Sequence, residues 1–196
     1  MSLKSTIRLA LFAALLLASL AVPPLQAQPA CINFEPPLAL GATYGAPVGQ
    51  SSGDLAFVSG GIPVRVYNFR MINGLPAFNR AYIDNAPFPF SGGQSIRTNN
   101  INLLFDLTRL PFSAKRVKLA FLDLGGYENL SVNGSPIHVG ELTAAPAVLG
   151  GATVSVTSAP LPPPLGGKSG TLIIKGALRS LMIGGQELWL DQVCVE

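Results

Sequence analysis

The only two cysteines of the 196-residue chain stand near its ends, in Cys31-Ile32-Asn33-Phe34-Glu35 and in Leu188-Trp189-Leu190-Asp191-Gln192-Val193-Cys194. Two thiols that enter an oxidising compartment without competitors pair with each other. Bridged Cα atoms lie within about 7 Å, so the pairing predicts that the first and last ordered strands are neighbours. An intermolecular bridge and free thiols are the alternatives. The Cys-x-x-Cys spacing of a redox site is absent.

Residues 1–27 read as a secretory signal. Lys4 and Arg8 form the positive region, Leu9 to Val22 is almost unbroken apolar sequence, and Ala27 permits cleavage before Gln28. Cleavage after Ala30, a retained anchor and lipidation at Cys31 are the competing readings. The apolar run falls short of the roughly 20 residues that span a bilayer, and a lipidated Cys31 would leave Cys194 unpaired. The expected product, 28–196, is a single domain with no integral membrane span. It is secreted to an extracellular or periplasmic space and is open to association with the cell surface. The chain has 13 basic and 10 acidic residues; without Lys4 and Arg8 the excess shrinks to about one charge. Only Lys115-Arg116-Lys118 approaches a basic stripe, and it opens a strand, so no nucleic-acid partner is expected.

Glycine and proline interrupt the remaining chain too often for a long amphipathic helix, as in an all-β fold of short strands and turns. Alternating apolar patterns place strands at 55–59, 62–69, 78–83, 101–107, 116–123, 129–133, 137–139, 152–157, 171–175 and 187–195. This spacing predicts a two-sheet jelly-roll β-sandwich with adjacent terminal strands. Asn133-Gly134 suits the positive φ angles of a type I′ turn, and Gly125-Gly126 and Gly184-Gly185 are expected to be turns. Pro63 belongs at a strand start or an edge. Pro160 to Gly170 is expected to be a stiff exposed loop within the domain.

Pairing of the cysteines would carry Glu35 and Asp191 to the same edge of the sandwich. Two adjacent carboxylates repel unless protonated, separated or bridged by a cation, and calcium accepts carboxylates, carbonyls and water in flexible geometry. Glu35 and Asp191 are therefore candidate calcium ligands, with Asp54 as a third. The alternative is that they are solvent-facing acids.

Asn33-Phe34-Glu35 and Leu188-Trp189-Leu190-Asp191-Gln192-Val193 resemble the ends of secreted calcium-containing β-jelly rolls of the carbohydrate-binding-module type. The resemblance implies a structural calcium between the terminal strands, held by Glu35 and Asp191. Phe121-Leu122-Asp123-Leu124-Gly125-Gly126, Asn129-Leu130-Ser131-Val132-Asn133-Gly134 and Gly184-Gly185-Gln186-Glu187-Leu188-Trp189 resemble the β-sandwich regions of bacterial exported surface proteins. The chain departs from that second pattern by ending at Glu196 without a sorting tail, which points to release or noncovalent association.

Catalysis has little support in these residues. His138, the one histidine, alternates with Ile137 and Val139 as a strand residue and has no local serine motif beside it. Asp84, Asp106, Asp123, Glu128 and Glu187 supply carboxylates for a polysaccharide hydrolase or lyase, but no spacing singles out a pair. A binding role fits better. Tyr67, Tyr82, Tyr127 and Trp189 offer faces for sugar rings, and Arg80 and Gln186 offer hydrogen bonds, each with core packing or turn stabilisation as its alternative. The leading expectation is a non-catalytic module that binds polysaccharide or extracellular matrix and carries structural calcium. A self-assembling or adhesive surface protein is the competing one, consistent with only 12% charged residues.

Overall fold

The computed structural model describes residues 28–196; the expected signal segment lies outside them. Sixteen strands follow one another among these residues. They are β1 (Ala30–Ile32), β2 (Thr43–Gly45), β3 (Leu55–Ser59), β4 (Ile62–Arg70), β5 (Pro76–Ala77), β6 (Arg80–Asp84), β7 (Ser95–Asn99) and β8 (Ile101–Asp106). The second half comprises β9 (Arg116–Asp123), β10 (Glu128–Val132), β11 (His138–Gly140), β12 (Val148–Leu149), β13 (Ala152–Pro160), β14 (Lys168–Lys175), β15 (Ser180–Gly185) and β16 (Leu188–Val195). No helix among the described residues is long and apolar enough to cross a membrane.

The strands form two antiparallel sheets packed as a sandwich. The nine-stranded sheet runs β12-β13-β14-β9-β16-β7-β6-β2, with β1 added to β16, and the seven-stranded sheet runs β11-β10-β15-β8-β4-β3, with β5 on β4. The chain crosses between sheets along β7-β8-β9-β10 and again along β14-β15-β16, which gives the expected jelly-roll arrangement. Alternation explains the core. Val64 and Val66 of β4, Leu103 and Phe105 of β8, Leu119 and Phe121 of β9, and Leu188 and Leu190 of β16 all point between the sheets and are fully buried.

The terminal strands meet as the cysteines require. Cys31 is opposite Cys194 in the β1–β16 register, their Cα atoms are 4.1 Å apart, and the sulfurs are bonded. A disulfide of this kind persists in oxidising compartments, consistent with an extracellular or periplasmic site.

Three local expectations fare differently in the folded chain. Asn133 and Gly134 both have positive φ, 53° and 74°, as the turn reading requires. The 161–167 connection joins β13 to β14 as a largely exposed loop, although Leu161 turns inward. Gly184-Gly185 is not a turn but the end of β15. A side chain at Gly184 would run into Ile101 and Asn102 of β8, so glycine here permits close strand approach. The bend falls one step later, at Gln186 and Glu187.

Beyond the main core, a small cluster covers the outer face of the nine-stranded sheet. Leu122 and Trp189, paired across β9 and β16, are buried with Leu161 beneath Phe88 and Phe90 of the β6–β7 connection. This connection also reaches the terminal seam described below.

Candidate functional site

The expected calcium ligands Glu35 and Asp191 do converge, and strand pairing explains how. On one side β16 pairs with β7 through Leu188–Leu190 and with β1 through Ile32–Val193 onward. Asp191 falls in the gap between these partners, where β16 is irregular and Gln192 has a φ of 50°. The loop entering β7 fills the gap. Ser91 Oγ donates to the Asp191 carboxylate, Gln192 N donates to Asp191 Oδ1 at 2.7 Å, and Gln94 N donates to Glu35 Oε1 at 2.7 Å. Burial raises the Asp191 pKa, the bonds from Ser91 and Gln192 pull it down, and the charge of Glu35 raises it again. Both carboxylates thus have protein donors. Asp54 closes its own exposed turn by accepting from Ser51 N at 2.8 Å, at the edge of the other sheet.

The group of three acids close enough to share an ion, among the described residues, is a different one: Asp123, Glu128 and Glu141, whose ligand atoms lie within 4.8 Å of one another. It forms at one end of the sandwich. Asp123 ends β9 in one sheet and Glu128 begins β10 in the other, so the Gly125-Gly126 connection spans the layers. Glu141 follows β11, whose Gly140 pairs with Glu128. Lys168 begins β14 directly opposite Asp123. Its Nζ is 3.6 Å from Asp123 Oδ2 and is ion-paired with Glu141.

Burial divides the roles within this cluster. Glu128 has no exposed surface, and burial followed by the nearby Asp123 charge pushes its pKa up to about 8. Leu142 N donates to Glu128 Oε2 at 3.2 Å, whereas no N–H reaches the buried Oε1, and the Asp123 carboxylate is the side chain with which Glu128 shares a hydrogen bond when a proton lies between them. Gly125 N donates to Asp123 Oδ1 at 2.9 Å. Glu141 is exposed, and a cleft of about 420 Å³ bordered by Asp123, Glu141 and Lys168 opens to the surface. Three convergent carboxylates can hold a metal ion or share protons.

The candidate sugar-binding residues are not gathered in one place. Tyr82, Arg97 and Trp189 form a row across β6, β7 and β16. Trp189 is only 2% exposed, with the Arg97 guanidinium 4.4 Å from its ring centre, so the indole packs rather than presents a face. Tyr82 carries Arg80 at 5.2 Å and accepts a hydrogen bond from Arg97 at 2.6 Å. Tyr127 stacks on Phe69 and accepts from Ile72 N at 3.1 Å, and Gln186 donates to Asn100 at 3.4 Å. Apart from the buried Trp189 Nε1, which has no hydrogen-bond partner, the polar groups of these side chains have intramolecular partners.

Tyr67 stands apart, on the outer face of the seven-stranded sheet. It borders a groove of about 500 Å³ with Leu104 and Met182 on neighbouring strands and with Asn68, Ser131 and Ser135 among its polar groups. Among the described residues, no Asp, Glu, Lys, Arg or His lines it. Alternation produces this face, since Val66, Leu103 and Ile183 beside these residues point into the core.

Two asparagines in glycosylation-type triplets are structural. Asn129 is buried and exchanges hydrogen bonds with Arg70 N and O, and Asn133 bonds Gly150, Ala177 and Arg179.

Comparisons with family models, curated proteins and solved structures returned no match. The architecture is an all-β two-sheet antiparallel sandwich, as the resemblance implied, and it identifies no family.

Proposed function

We propose that this chain is an exported, non-catalytic binding domain that holds a neutral carbohydrate in the groove beside Tyr67. The observation that carries this reading is the lining of the groove: an aromatic ring, three apolar side chains, four serines and one amide, with no Asp, Glu, Lys, Arg or His among the described residues. Such a surface suits a sugar ring, whose apolar face stacks on an aromatic while its hydroxyls meet directional partners. Calcium is the structural ion of this reading. One histidine and no free cysteine leave oxygen ligands as the dominant set, which favours a hard cation over zinc. The test is retention of the purified protein on immobilised neutral polysaccharides. Retention lost in Tyr67→Ala, with the fold intact by circular dichroism, supports the reading; no retention on any neutral polysaccharide contradicts it.

A second reading, assembly between copies, draws on the edge of β13. Its pairing with β12 covers only Ala152 and Thr153, so Ser155 to Ala159 have no strand on that side, and Val148 nearby is 62% exposed. An open edge of this kind can accept a strand from another molecule. Concentration-dependent light scattering that disappears in Val156→Lys would favour it over the carbohydrate reading.

A further inference from the structure

We propose that Asp123, Glu128 and Glu141 form a divalent-cation site, selective for calcium, in which Lys168 is the counter-charge that the ion replaces. The inference does not rest on the carbohydrate reading, because the cluster and the groove share no residue.

Geometry comes first. Calcium holds oxygens at 2.3–2.6 Å, so ligands on opposite sides of one ion are about 5 Å apart. The three carboxylates already meet that condition, lying within 4.8 Å of one another without an ion between them. The second observation is Glu128 Oε1. A fully buried acceptor without a donor is costly, and native structures rarely leave one unexplained. The neighbouring side chain is the Asp123 carboxylate, so the two acids share either a proton or a cation.

Chemistry narrows the ion. His138 is close, but its Nε2 lies 3.1 Å from the Glu141 carbonyl oxygen, and both cysteines are in the disulfide. The donor set is therefore oxygen only, which suits calcium better than zinc or copper. Three carboxylates cannot fill six to eight positions, and the adjoining cleft gives room for water.

Charge explains the lysine. With its proton displaced by the ion, Glu128 joins Asp123 and Glu141 as a third carboxylate, and in the ion-free cluster Lys168 supplies the positive charge. Its ammonium bridges the same two acids that a metal ion would bridge, Asp123 and Glu141. A divalent ion in its place brings twice the charge to the same carboxylate oxygens.

The experiment is calcium titration of the chelator-treated, full exported protein by calorimetry, with magnesium in parallel. One calcium per chain is expected, with magnesium weaker. Glu141→Gln, at an exposed position that tolerates change, should weaken calcium binding by about tenfold or more. Lys168→Met should strengthen it, because the competing ammonium is gone. Three results would overturn the proposal: no calcium heat, binding unchanged by Glu141→Gln, or binding lost in Glu35→Gln but kept in Glu141→Gln, which puts the ion at the terminal seam. If Lys168→Met destabilises the fold and no calcium binds, the cluster is a lysine-bridged salt-bridge network.

Discussion

Cys31 faces Cys194 across the antiparallel pairing of β1 and β16, and the bond between them closes a loop spanning 163 positions. Loop-closure entropy puts the stabilisation at up to about 5 kcal/mol, an upper value because residual denatured-state structure reduces it. The double variant Cys31→Ser, Cys194→Ser should therefore lose several kcal/mol in chemical denaturation under non-reducing conditions. The unmodified protein should show the same loss when reductant is added.

Glu128 gives stability a defined pH dependence in chelator. Its pKa is about 8 in the folded chain against an ordinary 4.5, so between these values the folded state binds more protons than the unfolded state. Stability then falls as pH rises through that window. Glu128→Gln cannot ionise and should flatten the fall. Melting temperatures of both proteins from pH 5 to pH 8 check the sign: a wild-type melting temperature that rises with pH while the variant's stays level would contradict it.

How much of this was legible in sequence depends on which contacts set each feature. β4 over 62–67 and β9 over 116–121 alternate plainly because their outward residues are polar or half-exposed and their inward ones apolar. β7 was missed because Ser95 and Thr98 occupy buried positions. Their hydroxyls satisfy the backbone, Ser95 bonding Asp84 O and Thr98 bonding Leu188 O, so polarity hides a core strand. β15 was missed because its closing glycine pair looks like a turn. Glu35 and Asp191 could be brought together on the strength of the cysteines alone. Asp123 and Glu128 were visible as acids flanking a glycine turn. Glu141 and Lys168 were not, since only the β10–β11 and β14–β9 registers carry them to the same end of the sandwich. Acids and lysines at or just beyond strand ends include them, among many others.

Trp189 should matter to stability and not to ligand binding. Its indole is buried with Leu122 and Leu161, so Trp189→Ala should cost about 3–5 kcal/mol. Urea denaturation measures the loss, and polysaccharide retention of the remaining folded fraction should be unchanged per molecule.

Asn129 is a brace between β10 and the end of β4. Arg70 N donates to Asn129 Oδ1 at 2.6 Å, and Asn129 Nδ2 donates to Arg70 O at 3.0 Å. Asn129→Ala should cost about 1–3 kcal/mol by leaving these groups without partners. Hydrogen exchange at Arg70 should accelerate in the variant more than at Ile101 or Leu103.

The location of the carbohydrate site is tested most directly by nuclear magnetic resonance, titrating the labelled protein with an oligosaccharide from a polysaccharide that retains it. Shifts concentrated at Tyr67, Asn68, Leu104 and Met182, and abolished by Tyr67→Ala, are the predicted result. Shifts centred on Tyr82, Arg80 and Arg97 of the opposite sheet, or no saturable shifts anywhere, would contradict it.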